Sequence, residues 1–301
     1  METYTKINTL YKRYQFKGDE CPNQKWLKFR NKIILGSFSN KEAEYLFDCL
    51  WEAYSKIDGT NSKIAFYPST GEIRVGGKTD GAESQHGQFE MLQKIADRIK
   101  PQLRSMFPKD TAKFIPVKSK ETNKVQYWDA TDPLGIDIVT PDKNGQYIVQ
   151  LEEIPVYIYG EYFGTGVQKV GGRYIQNGNG FSVFDIRQQG WWLPKENRDA
   201  ICQSLGLETV PYIGNMTLRD IEQMVMSGFK TKFERAADPT LIEEGIVARP
   251  VIPMCDGRGE RVIVKVKYCD YVEYQRVRNE FTDEEFEEFS KWYRETIETN
   301  Q

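Results

Sequence analysis

Lys56-Ile57-Asp58-Gly59-Thr60-Asn61 is the stretch that decides how this chain is read. A lysine stands two residues before an acid and three before a glycine, and an asparagine follows five places after the lysine. A lysine amine becomes a nucleophile once it sheds its proton, which burial and neighbouring cations favour. Such a short pattern is weak by itself. Four further segments, spread over the rest of the chain, give it meaning.

The chain has 301 residues, enough for one large or two small domains with a sizeable core. Hydrophobic residues are 39% and charged residues 28%, the balance of a soluble globular protein. No run of eighteen or more apolar residues occurs, and the opening Met1-Glu2-Thr3-Tyr4-Thr5-Lys6 lacks a signal-peptide core, so no membrane partner is expected. The five cysteines (Cys21, Cys49, Cys202, Cys255, Cys269) form no CxxC pair, which suits free thiols in a reducing cytoplasm, or a host cytoplasm for a viral chain. With His86 as the single histidine, histidine metal cages and repeated histidine acid–base schemes are excluded. A net charge of −3 does not announce a nucleic-acid binder, although a local basic groove is compatible with it.

Ser39-Asn40-Lys41-Glu42 reads as a capping box opening a helix whose apolar face continues through Tyr45, Leu46, Cys49 and Leu50, almost into Lys56. Ile64 to Tyr67 and Glu72 to Val75 read as strands around a Pro-Ser-Thr-Gly turn. Phe89, Leu92, Ile95, Ile99 and Leu103 mark an amphipathic helix ending near Pro101 or soon after. Strands are expected at Tyr147 to Leu151, Val156 to Tyr159, Phe181 to Ile186, Gly245 to Arg249 and Arg261 to Lys267. Helices are expected from Pro194 to Gly206, after Thr217, and after Thr282. Without regular βαβ alternation, the class is α+β, with antiparallel β-sheets flanked by helices. The boundary falls near residue 271, giving a domain at 1–270 and a helical extension at 271–301.

In Val262-Ile263-Val264-Lys265-Val266-Lys267 the valines share one face and the two lysines the other. Two ammonium groups on one wall can hold a phosphate and lower the pKa of a nearby lysine. Glu161 and Glu244 each stand at the end of an apolar strand, where a carboxylate can accept ribose hydroxyls or hold Mg²⁺. Phe184 offers a ring to stack on a base. Taken singly, each has a structural reading as well: a solvated edge strand, a strand-end acid, a core phenylalanine.

Lys56-x-Asp58-Gly59, Gly160-Glu161-x-x-Gly164, Phe184-Asp185, Glu244-Gly245 and Lys265-x-Lys267, in this order, resemble the motifs of the covalent nucleotidyltransferase superfamily of DNA ligases, RNA ligases and mRNA capping enzymes. Thr60-Asn61, where the other two groups usually carry arginine five residues after the lysine, is similar to the RNA ligase 2 and RNA-editing ligase group. Only 34 residues follow Lys267, too few for the oligonucleotide-binding barrel that DNA ligases and capping enzymes need.

The resemblance implies a nucleotidyltransferase (ATP-grasp-like ligase) fold and an ATP-dependent RNA ligase. Lys56 would carry AMP, and Lys265 and Lys267 would hold the α-phosphate. Glu244 would serve catalysis and the divalent metal, Mg²⁺ or Mn²⁺, with Glu161 as a second metal residue. Asp58, Gly59, Asn61, Arg74, Lys78, Glu161, Phe184 and Arg249 would contact the nucleotide: Asn61 and Glu161 at the sugar, Phe184 at adenine, Arg74, Lys78 and Arg249 at phosphates. Gln168, in Gly164-Thr165-Gly166-Val167-Gln168-Lys169, would contact RNA. The implied partners are nicked or single-stranded RNA ends, met by a monomer. Tyr54 departs from the pattern, since phage-type enzymes carry a basic residue there. A compact DNA ligase, a GTP-dependent capping enzyme and a non-catalytic RNA-binding protein are the alternatives.

Overall fold

Residues at period two sort onto opposite faces of two large sheets, each with one face turned to its own helices, and three two-stranded sheets complete the described β-structure. The computed structural model describes residues 4–79, 87–116, 127–128, 147–148 and 151–298. Two compact units emerge: the first comprises Met1–Tyr4, Thr60–Tyr162 and Gly180–Thr209, the second Thr5–Gly59, Phe163–Asn179 and Val210–Gln301. Asp80, His86, residues 149–150 of the expected Tyr147 to Leu151 strand, and Thr299 lie outside the described residues. No helix among the described residues is long and apolar enough to cross a membrane.

In the first unit the strand order is Trp191–Trp192, Asn179–Gln188, Val156–Gly164, Thr60–Tyr67, Glu72–Gly77, and Glu208–Thr209 also pairs with Asn179–Gln188. The Val156–Gly164 and Thr60–Tyr67 strands run antiparallel with Glu161 opposite Asn61. Ile64, Phe66, Val156, Ile158, Phe181 and Val183 pack with Leu92, Ala96, Ile99, Leu103, Cys202 and Leu205 from the helices Gln88–Met106 and Lys195–Leu205. By period two, Asn61, Tyr157, Tyr159, Glu161 and Phe184 lie on the other face. The helix Gln88–Met106 runs through Pro101 and ends soon after it, within the expected bounds. One missing amide donor is outweighed by the burial of Leu92, Ala96, Ile99 and Leu103.

In the second unit the order is Asn8–Thr9, Val264–Lys267, Gly245–Pro250, Leu50–Ser55, Tyr212–Thr217, antiparallel except for the first pair. Trp51, Ala53, Ile246, Ala248, Val264 and Val266 pack with Leu218, Ile221 and Val225 of the helix Leu218–Ser227, and with Tyr271, Tyr274 and Val277 of the helix Tyr268–Arg278. The helix expected to run toward Lys56 is a single short piece, Lys41–Tyr45, capped by Asn40 rather than Ser39. Beyond it, Trp51 and Ala53 alternate with Glu52 and Tyr54, which is strand spacing, and two neighbouring strands claim the segment. The helix Asp283–Trp292 carries the expected Thr282 capping box.

Candidate active site

Lys56 leaves the end of the Leu50–Ser55 strand with its backbone N–H still bonded to the Gly245 carbonyl at 3.0 Å. Its Nζ lies 2.5 Å from Glu244 Oε2. The other oxygen of the same carboxylate lies 2.7 Å from Lys267 Nζ. Glu244 therefore bridges the two ammonium groups. Lys265 sits on the same face as Lys267, paired in register with Val247, while Val264 and Val266 are buried on the opposite face. Burial opposes the charge on Lys267, but the hydrogen bond and charge of Glu244 outweigh it and raise its pKa above the ordinary lysine value.

Gly245 is required by this packing. A Cβ there would stand 2.0 Å from the Val266 carbonyl oxygen, so only glycine lets the strand after Glu244 close on the lysine strand. Gly160, before Glu161, is similar: a Cβ would come within 2.5 Å of the Phe181 ring.

Asp58 is half-buried, and burial first, then the nearby Glu244 charge, push its carboxyl above the usual range, against the pull of Lys56 and Lys267. Its backbone N–H donates to the Tyr174 hydroxyl at 3.4 Å, and the next carbonyl, of Gly59, accepts from Gln168 Nε2 at 3.3 Å.

Arg249 does not stand free. Its Nε donates to Glu52 Oε2 at 2.8 Å and an Nη to the Tyr54 hydroxyl at 3.1 Å, with the guanidinium 5.2 Å from the Tyr54 ring centre. Tyr54, at the position of the expected basic residue, also donates to Glu52 at 2.6 Å.

The remaining residues belong to the first unit. Asn61 has a buried Oδ1 with no hydrogen-bond partner among the described residues. An orphaned acceptor in a strand is costly without a ligand or water. Phe184 is half-buried, its carbonyl accepting from Arg198 at 2.9 Å and its ring edge-on to Tyr4 at 5.1 Å. Tyr4 in turn donates to Asp185 at 2.5 Å. Arg74 is exposed and paired with Glu72, and Lys78 is exposed after the Glu72–Gly77 strand.

The structure thus brings Lys56, Asp58, Gly59, Glu244, Lys265, Lys267 and Gln168 into one neighbourhood of the second unit. Glu52, Tyr4, Arg198, Tyr174 and Glu243 were not found from sequence. Nothing in the sequence around Tyr174 or Glu243 marks them; their roles emerge only with their burial and their long-range partners.

Two helix-backed, largely antiparallel sheets with this ordered set of motifs define a member of the covalent nucleotidyltransferase superfamily. More narrowly, the chain belongs to the RNA ligase family, whose model matches residues 50–267. Among solved structures it is similar to a Naegleria gruberi RNA ligase with PPi, at 15% identity and TM-score 0.48, over 78% of this chain and 54% of that one. A mutant of the Naegleria enzyme with AMP and Mn is similar at 14% identity and TM-score 0.48, over 79% and 55%. This chain therefore spans little more than half the length of those chains. A search of curated proteins finds no match.

Proposed function

We propose that this chain is an ATP-dependent RNA ligase that joins a 5′-phosphate end to a 3′-hydroxyl end, in nicked or single-stranded RNA. The observation that carries the reading is Glu244 bridging Lys56 and Lys267, inside the stretch that matches the family. The deprotonated Lys56 amine attacks the α-phosphorus of ATP. A P–N bond forms, the P–O bond to pyrophosphate breaks, and lysyl-AMP results. Lys265 and Lys267 hold the α-phosphate oxygens as charge builds on them. An oxygen of the RNA 5′-phosphate then attacks the same phosphorus, the P–N bond breaks, and Lys56 recovers its proton. Finally the 3′-hydroxyl attacks the RNA 5′-phosphorus, forming the phosphodiester and expelling AMP.

The buried, orphaned Asn61 Oδ1 and its cross-strand neighbour Glu161 suit the ribose hydroxyls. Phe184 suits adenine, and Arg74, Lys78 and Arg249 suit phosphates. Among the described residues no group of three His, Cys, Asp or Glu forms a metal cage. Mg²⁺, however, commonly takes only one or two protein carboxylates when phosphates supply the rest, and Glu244 with Asp58 fits that demand. Glu161 is a further candidate. When bound, the divalent ion neutralises phosphate charge.

Incubation with labelled ATP or GTP, followed by a panel of nicked and single-stranded 5′-phosphorylated RNAs, tests the reading. Label from ATP alone, with sealing of RNA, is the expected result. Label from GTP alone would indicate a capping enzyme, and no label a binding protein.

A further inference from the structure

The Lys56–Gly59 loop is held from behind by a second set of side chains, all within the second unit. The Tyr174 hydroxyl accepts the Asp58 N–H at 3.4 Å and donates to Glu243 Oε1 at 3.0 Å. A hydroxyl can do both at once; no apolar ring can do either. Glu243 is 1% exposed, and its other oxygen accepts the Lys232 N–H at 3.3 Å. Tyr174 is itself fixed. Its carbonyl accepts the Ala237 N–H at 3.0 Å, Arg173 pairs with Asp238 at 2.7 Å, and its ring packs edge-on to Phe163 at 5.7 Å. One residue after the Asp58 amide, the Gly59 carbonyl is bonded to Gln168, which adopts a left-handed backbone (φ 54°). That conformation is uncommon for a non-glycine residue.

The consecutive acids Glu243 and Glu244 therefore grip the same loop at two points. Glu244 holds the Lys56 side chain, and Glu243 holds the backbone two residues on through Tyr174. We propose that Tyr174, Glu243 and Gln168 are positioning residues that fix the Lys56–Gly59 loop, and with it the Lys56 amine, for attack on the nucleotide. The inference rests on the adenylation reading above and adds residues that do not touch the nucleotide. It also gives Gln168 a duty in the absence of RNA, where the family resemblance suggested an RNA contact.

The test compares the wild-type chain with Tyr174→Phe, Glu243→Gln and Gln168→Ala. Amide exchange is followed over the Lys56–Gly59 peptide, and single-turnover adenylation is followed with ATP and no RNA. Gln168 is exposed, so its variant samples the clamp without disturbing the core. Tyr174→Phe should speed exchange of the loop peptide by about tenfold while the Leu50–Ser55 and Gly245–Pro250 strands stay protected. It should slow adenylation at saturating ATP by about 10- to 100-fold with the ATP KM nearly unchanged, as expected when a nucleophile is misplaced. Gln168→Ala should move both readouts in the same direction, and Glu243→Gln, which retains one acceptor, should move them less than Tyr174→Phe. Unchanged loop exchange in all three variants would overturn the proposal. So would a loosened loop that adenylates at the wild-type rate, or a Gln168→Ala variant impaired only in sealing RNA. A wild-type chain that takes up no AMP would instead overturn the adenylation reading, and the exchange comparison alone would then judge the clamp.

Discussion

Glu244 reaches Lys56 with one carboxylate oxygen, at 2.5 Å, and spends the other on Lys267. Removing the carboxylate leaves two half-buried ammonium groups as near neighbours. In Glu244→Ala, Lys267 loses the hydrogen bond and the charge that do most to raise its pKa, leaving only the weaker influence of Cys269 and Asp270 against burial. Adenylation at saturating ATP should fall by about 10²- to 10³-fold, the usual loss when one charge-stabilising group is removed from a site. Single-turnover kinetics with labelled ATP measures this, and a loss below about threefold would contradict the bridging role.

Glu243 predicts a pH effect of definite sign. Burial is the largest influence and raises its carboxyl above the ordinary 4.5, although hydrogen bonds from Thr231 and Tyr174 pull the other way. A raised acid binds its proton more tightly in the folded than in the unfolded chain. Its contribution is fully present below 4.5 and is lost as pH rises through the higher folded value. Glu243→Gln cannot titrate. The Tm of wild type minus that of Glu243→Gln should therefore be larger at low pH than at neutral pH. A difference that stays flat or grows with pH would contradict this.

The C-terminal helix packs on the N-terminal aromatic residues of its own unit. Phe289 is fully buried and stacks on Phe29 with centroids 4.5 Å apart and planes 12° apart. Tyr14, Phe16 and Trp26 surround it. Phe289→Ala should cost about 3–5 kcal/mol, as for other buried phenylalanines. Deleting residues 280–301 should lower Tm and remove adenylation and sealing together. A stable deletion variant that adenylates but cannot seal RNA would assign the helix an RNA-binding role instead.

Tyr4 supports the ring proposed to stack on adenine. It meets Phe184, Tyr159 and Trp192 at 5.1, 5.0 and 5.5 Å. Aromatic pairs of this kind contribute about 0.5–1.5 kcal/mol each. Tyr4→Ala should raise the KM for ATP by about two- to tenfold and leave the rate at saturating ATP nearly unchanged. A fall in that rate with unchanged KM would contradict the role.

Much of this was legible in the sequence because it rests on periodicity. Val264 and Val266 alternate with Lys265 and Lys267, and the alternation alone sorted core from site. The caps at Thr217 and Thr282 were equally readable from local chemistry. The Leu50–Ser55 segment was misread as helix because Tyr45, Leu46, Cys49 and Leu50 also fit a helical face. Its strand identity comes from partners far away in sequence, Tyr212–Thr217 and Gly245–Pro250. Glu52 beside Arg249, and Tyr174 between Asp58 and Glu243, depend on such long-range pairing too. No local signal marks them.

The central claim is that the Lys56 amine takes AMP from ATP. Intact-mass measurement after addition of ATP and Mg²⁺, with peptide mapping of the adduct, tests it most directly. Wild-type protein should gain one AMP, mapped to Lys56, and Lys56→Ala and Lys56→Arg should gain none, since a guanidinium stays protonated and is not a nucleophile. An AMP adduct on the alanine variant, or one mapped to another residue of the wild-type chain, would contradict the account.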